Sequence, residues 1–231
     1  MRLLFVRHGE PDYEKDCLTP TGILQAKNCA KRLLRENIDE IYSSPMGRAR
    51  QTAEETAKLL DKEVTVLDYM YEIWWGGEGI PEEGHLWTLG DMLTTDVNFD
   101  YYTSDWKKHP FFEKNYCMEF YDKITGKIDE FLLSYGYRHD GRRFYCDTDE
   151  NKNIAIFSHG GSGACAMSHI LSLPLPYYAS VFPYDFTSVI IIDLPVNKGS
   201  FVRPRMELFN DAAHIIGISD GLKLQQKVDK K

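Results

Sequence analysis

Apolar positions along this chain follow two alternating rhythms. Residues 3–6 form a short unbroken apolar run that ends in Arg7-His8-Gly9, which predicts a buried strand feeding a loop. Thr19-Pro20 then opens a helical stretch through about residue 35. Thr19 is placed to cap it, with Pro20 at the first helical position. Ile23, Ala26, Ala30, Leu33 and Leu34 predict its apolar face. Residues 38–42 predict a second strand, ending at Ser43-Ser44-Pro45, and a helix over 47–60 turns Ala53, Ala57 and Leu60 inward. Residues 64–66 predict a third short strand.

Between Trp74 and Asn115 the periodicity fails, and an irregular, aromatic-rich excursion with one short helix is expected. Phe120, Ile124, Ile128, Leu132 and Tyr135 restore a helical period. Residues 154–157 predict a strand running into Ser158-His159-Gly160-Gly161, followed by a helix over 162–171. Residues 188–194 and 201–208 predict two further strands, and the tail from Leu222, with four lysines, is expected to fray. Strands alternating with helices imply an α/β fold with a mostly parallel sheet, in which ligands bind at the C-terminal ends of the strands.

Two of those strands end in the same way, with a histidine followed by glycine: Arg7-His8-Gly9 and Ser158-His159-Gly160. Arginine holds phosphate at two points and keeps its charge. Neutral histidine can carry a covalent phosphoryl group. The helix opened by Gly160-Gly161 offers free backbone N–H groups to an anion. Arg48 sits in the first turn of another helix, where a cation is unfavourable unless an anion lies beside it. Two histidines and two arginines at strand ends thus point to one phosphate pocket. Arg50, two residues beyond Arg48, projects about 200° away, so only one of the two can face that pocket.

Composition narrows the partners. Of 231 residues, 27 are Lys or Arg and 35 are Asp or Glu, a net charge of −8. An acidic chain is a poor non-specific binder of nucleic acid or anionic membranes. No apolar run approaches the ~20 residues of a membrane span. The run at residues 3–6 is too short for a signal peptide. Five cysteines without a CxxC motif suggest reduced thiols and a cytoplasmic protein.

The motifs resemble those of the histidine phosphatase superfamily, also called phosphoglycerate mutase-like. Its signature is carried here by Arg7-His8-Gly9-Glu10, by Ser43-Ser44-Pro45 through Arg48-Ala49-Arg50-Gln51-Thr52-Ala53, and by Ser158-His159-Gly160-Gly161. Glu72, in Tyr71-Glu72-Ile73-Trp74-Trp75, occupies the place of the family's acid after the third strand. Asn210-Asp211-Ala212-Ala213-His214 resembles a C-terminal signature more weakly. The resemblance implies a three-layer α/β/α sandwich spanning residues 1–231 as one domain, with an insertion or lid at about 76–118.

It also implies a mechanism. His8 is the nucleophile, Glu72 the acid and base, and Arg7, Arg48, His159 and Gly160 hold the phosphoryl group, with His159 as a cation. No metal or other cofactor is expected. Pro11 and Glu14 stand where many mutases and several phosphatases of the family carry Ser or Thr and Asn. That departure favours a phosphomonoesterase acting on a small phosphorylated substrate over a mutase-type phosphotransferase. A non-catalytic domain of the same fold and a two-histidine metallohydrolase are the remaining alternatives. The aromatic segment reads as a specificity wall of Trp74, Trp75, Trp87, Tyr101 and Tyr102, as a satellite core, or as the interface of a homodimer. His214 is expected near the pocket or as a structural cap. His85, His109, His139 and His169 are expected at surface or structural positions.

Overall fold

The computed structural model describes residues 1–77, 97–100 and 106–218. Its central sheet takes six strands: β1 (Arg2–Arg7), β4 (Glu40–Ser43), β5 (Val64–Val66), β8 (Asn153–Ser158), β9 (Val189–Asp193) and β11 (Arg205–Asp211). The order across the sheet is β11-β9-β1-β8-β4-β5. β1, β8, β4 and β5 pair in parallel, and β9 lies antiparallel between β1 and β11. The sheet is therefore mostly parallel.

Its interior strands are apolar on both faces, as a doubly covered sheet requires. Leu3 and Phe5 face one core and Leu4 and Val6 the other, in step with the strand period of two. Helices α1 (Pro20–Leu33) and α2 (Gly47–Leu60) cover the second face through Cys29, Leu33, Ala53 and Ala57. Helices α4 (Cys117–Ser134) and α5 (Gly160–Ile170) cover the first through Ile124, Ile128, Leu132, Cys165 and Met167. This is the expected α/β/α sandwich. A short helix α3 (Pro110–Glu113) precedes α4, and α6 (Leu175–Val181) follows α5. All five cysteines are free thiols. No helix among the described residues is long and apolar enough to cross a membrane.

Local expectations hold at α1 and α2, with corrections. The Thr19 hydroxyl accepts the Gly22 N–H at 3.0 Å, and α2 has the bounds the pattern gives. The buried stripe of α1 is Gly22, Gln25, Ala26, Cys29, Ala30 and Leu33, whereas Ile23 and Leu34 are exposed. Each of those two lies about 100° from the stripe, so packing overrides their apolarity. The strand expected over 201–208 is two strands. β10 (Ser200–Val202) joins a second sheet with β7 (Arg143–Cys146) and β6 (Tyr137–Asp140), and β11 joins the main sheet. Pro204 lies between them and cannot donate to a ladder. The β6–β7 hairpin and α6 were not foreseen. A two-stranded ribbon, β2 (Pro11–Asp12) and β3 (Cys17–Leu18), closes over the first loop.

The expected wall at 76–118 lies largely outside the described residues, which exclude Trp87, Tyr101, Tyr102, Glu78, Glu82, Glu83 and His85. So does the lysine-rich tail. Of the described aromatics, Trp74 is exposed, while Trp106 is buried edge-on against Phe112 and Tyr121 as part of the core.

Candidate active site

The C-terminal ends of β1, β8, β4 and β5 share one edge of the sheet, because these four strands run in parallel. Arg7 ends β1 and His8 follows it. His159 follows β8, Ser44 follows β4, and Glu72 lies in the chain after β5. Backbone bonds hold the loops in place: His8 N–H donates to the Ser158 carbonyl and Ser44 N–H to the Phe157 carbonyl.

His8 is buried. Its Nδ1 lies 2.7 Å from the Gly9 carbonyl. A carbonyl only accepts, so Nδ1 carries the proton and Nε2 keeps its lone pair. Arg48 Nε–H points at that Nε2 from 3.4 Å. Burial first, then the charges of Arg7 and Arg48, push the imidazole well below its ordinary range, although its bond to Gly9 works the other way. His8 is thus a neutral base with its reactive nitrogen turned toward guanidinium.

Arg48 is buried and Arg50 is exposed, facing Glu54, as their spacing predicts. Arg48 Nη1 donates to Asp16 Oδ1 at 2.6 Å. Asp16 Oδ2 accepts the Gly47 N–H at 2.7 Å, at the start of α2. The anion that an arginine at a helix start demands is therefore supplied from within the chain. Sequence reasoning did not find Asp16. Its signal was weak, an acidic residue in a turn, and it has the left-handed φ of 47° that aspartate tolerates.

The neighbouring motif residues tie loops to α2. Gln51 accepts the Leu18 N–H, and Thr52 accepts the Gly9 N–H while donating to the Arg48 carbonyl. Gly9 has a packing reason as well: a Cβ there would lie 2.7 Å from the Gly22 carbonyl of α1.

Arg7 Nη1 donates to the Tyr184 carbonyl at 2.5 Å, and its guanidinium lies 4.5 Å from the Phe186 ring. Phe186 also approaches the His8 ring at 5.6 Å. Neither Tyr184 nor Phe186 was anticipated, since they lie in a loop with no periodic pattern. His214 sits beside this loop, its Nε2 3.2 Å from the Thr187 hydroxyl; Thr187 N–H in turn donates to the carbonyl of Arg7.

His159 is fully buried, with its ring 5.1 Å from that of His8. Its Nε2 meets the Ser44 hydroxyl at 2.7 Å, and the residue stands at the N-cap of α5. The expected imidazolium is not what the free site favours. Burial, followed by His8, Arg48 and Arg7, pushes His159 well below its ordinary range. Two nearby guanidiniums and no opposing anion leave it neutral.

Glu72 Oε1 accepts N–H groups from Ile73 at 3.0 Å, Gly161 at 2.9 Å and Ser162 at 3.2 Å, so the carboxylate sits on the N-terminus of α5. Burial nevertheless raises its pKa, outweighing the Ile73 bond, Arg7, Arg48 and the Ser162 bond. Gly160 opens α5 beside the Arg7 guanidinium. The edge thus gathers a histidine whose neutral form is favoured, two guanidiniums, a second histidine and a carboxyl group with a raised pKa. This set is suited to moving a phosphoryl group.

Comparison with known proteins supplies independent findings. The model of the histidine phosphatase superfamily (branch 1) matches residues 3–86. A putative phosphoserine phosphatase 2 from Hydrogenobacter thermophilus is 27% identical over 170 residues, covering 70% of this chain and 74% of that protein. The crystal structure of phosphoserine phosphatase from Entamoeba histolytica, in complex with 3-phosphoglyceric acid, superposes with a TM-score of 0.62 at 28% identity. That match covers 93% of this chain and 98% of the other. A mycobacterial glucosyl-3-phosphoglycerate phosphatase shares the fold, with a TM-score of 0.61 at 20% identity over 90% of this chain and 98% of its own.

Proposed function

Because this chain belongs to the histidine phosphatase superfamily and is a phosphoric monoester hydrolase, we propose that His8 is its nucleophile and that hydrolysis runs through a phosphohistidine. The observation that carries this reading is the tautomer of His8: the Gly9 carbonyl holds the proton on Nδ1 and leaves Nε2 free to attack. Nε2 forms a bond to phosphorus as the bond from phosphorus to the leaving oxygen breaks. Glu72, whose acid form is favoured by its burial, gives its proton to that oxygen. A water then attacks the phosphohistidine, Glu72 accepts the water's proton, and the P–N bond breaks to release phosphate.

Arg7, Arg48 and the N–H of Gly160 hold the phosphoryl oxygens, and His159, packed beside the His8 ring, joins them. Fixed donors of this kind act on the charge that builds in the transition state.

The substrate class in this reading is a small phosphomonoester. Relatives named for phosphoserine make that compound the first to try. The mutase alternative gains no support from Pro11 and from an exposed Glu14. The net charge of −8 supports a protein that avoids nucleic acid.

The test is hydrolysis of p-nitrophenyl phosphate and phosphoserine in chelator, wild type beside His8→Ala, with alkaline denaturing quench to trap the phosphoenzyme. Wild type should be active and yield an acid-labile, base-stable phosphoenzyme, and His8→Ala should give neither. Turnover that survives the substitution removes His8 from the mechanism.

A further inference from the structure

Away from the active site, three residues from three elements meet at one point. Asp129 lies in α4, His139 in β6, and His169 in the last turn of α5. Asp129 Oδ1 is 2.9 Å from His139 Nδ1 and 2.9 Å from His169 Nε2. The two ring nitrogens are 3.2 Å apart. Both imidazoles are largely buried, and the Asp129 side chain is more open at 39%. Phe144 stacks on the His139 ring at 4.4 Å and fixes its plane.

We propose that Asp129, His139 and His169 form a binding site for a divalent transition-metal ion of the zinc type, which fastens α4 and β6 to α5. The argument begins with proton accounting. If both imidazoles donate to one carboxylate oxygen, two N–H groups crowd together with their nitrogens 3.2 Å apart. A single cation in place of the two protons satisfies all three converging donor atoms. At metal–ligand distances of about 2.0–2.1 Å, a tetrahedral ion separates its ligands by about 3.3–3.4 Å. The present separations of 2.9–3.2 Å need to widen by only a few tenths of an ångström.

Two imidazole nitrogens and one carboxylate oxygen, without thiolate, select zinc-like ions over magnesium or calcium. A groove of about 500 Å³ adjoins the three, lined by both imidazoles with Tyr121, Ser168, Ser172 and Arg142. It admits a fourth ligand, and the positive charge of Arg142 favours an anionic one.

The site is remote from the chemistry. His169 is at the far end of an 11-residue helix whose first turn carries Gly160 and Gly161. At 1.5 Å per residue that is about 12–14 Å away. Bound metal should therefore secure the end of α5 rather than take part in turnover.

The test uses full-length protein stripped with chelator and desalted, then titrated with Zn2+ by calorimetry and with Co2+ by absorption. His169→Ala and Asp129→Asn are compared with wild type, and p-nitrophenyl phosphate turnover is followed throughout. Wild type should bind one equivalent of Zn2+ with a rise in Tm. Its cobalt form should show tetrahedral visible bands and no thiolate band. Affinity should fall at least about 10-fold in Asp129→Asn and be lost in His169→Ala, while turnover stays within about twofold of wild type in both. Asp129→Asn preserves the side-chain shape and decides the matter if His169→Ala does not fold. Absent binding, or binding equal in wild type and variants, overturns the proposal. A thiolate band, or metal that abolishes turnover, places the ion at a cysteine or at His8 and does the same.

Discussion

Asp16 gives one carboxylate oxygen to Arg48 and the other to the backbone N–H of Gly47, so a single side chain both caps α2 and fixes a guanidinium of the active site. Met46, at the N-cap position, provides no side-chain cap of its own. Asp16→Ala should remove a cap worth about 1 kcal/mol and leave the buried Arg48 short of a partner. The partial exposure of Asp16 keeps the ion-pair contribution small. A loss of about 1–2 kcal/mol corresponds to a fall in Tm of about 2–8 °C for a chain of this size. Kinetically, KM should rise more than kcat falls if, as proposed, Arg48 holds the phosphoryl group in both ground and transition states. Steady-state kinetics and thermal melts check both, and a variant unchanged in both would detach Asp16 from the site.

Gly160 and Gly161 are adjacent, but their surroundings separate them. A Cβ on Gly161 would lie 2.3 Å from Ile73 Cγ1 and 2.7 Å from Glu72 Oε1, whereas one on Gly160 would meet only the Arg7 guanidinium at ordinary contact distances of 3.6–3.7 Å. Gly161→Ala should therefore push Glu72 off the helix N-terminus and lower kcat by about 10²-fold, the lower range of general acid–base catalysis. Gly160→Ala should stay within severalfold of wild type. The two variants measured side by side test whether the place of Glu72 on α5 matters to turnover.

Glu72 makes a prediction that depends on the leaving group. A p-nitrophenolate departs without a proton, whereas the alkoxide of phosphoserine needs one. Glu72→Gln should slow phosphoserine hydrolysis by about 10²–10⁴-fold. With p-nitrophenyl phosphate it should leave a phosphoenzyme that forms but hydrolyses slowly, visible as a burst. The pH profile follows from the raised pKa of the buried Glu72. The acid form, needed for an alkoxide leaving group, persists above the ordinary carboxylate range and is lost as pH rises through the folded pKa. The alkaline limb of kcat/KM for phosphoserine should vanish in Glu72→Gln.

Residues with short-range chemical signatures were legible in the sequence, and residues that act across the fold were not. Arg7, His8, Arg48 and His159 stand at strand ends beside glycine or at a helix start, and the strand pattern alone brings them to one edge. α2 was readable to its limits because its pattern, ending at Leu60, agrees with its burial. Asp16 and Phe186 reach the site through tertiary placement, with no spacing to announce them. The same holds for Asp129, His139 and His169, separated by intervals of 10 and 30 residues that match no ligand motif. Ile23 failed as a core residue because apolarity was counted without its angular position on α1. Burial, which favours neutral His159 in the free site, is invisible in a motif.

The two site histidines tie stability to pH. Both are held well below the ordinary pKa near 6.5, by burial first and by neighbouring charge second. Between that value and their folded pKa values, the unfolded chain binds protons that the folded chain does not. Stability therefore rises with pH through this window and is lost as pH falls below about 6.5, by up to about 1.4 kcal/mol per pH unit for each histidine. Glu72, with its raised pKa, works in the opposite direction from about pH 4.5 upward, but it is one group against two. Bound phosphate changes the balance, because a dianion beside His159 favours its imidazolium. Urea midpoints at pH 5 and pH 7 should differ less in His159→Gln than in wild type, and less with saturating phosphate than without. Calorimetry of phosphate binding at pH 7, in two buffers of different ionisation enthalpy, should show uptake of up to one proton by wild type and less by His159→Gln. Equal uptake by both proteins would place the titrating group elsewhere.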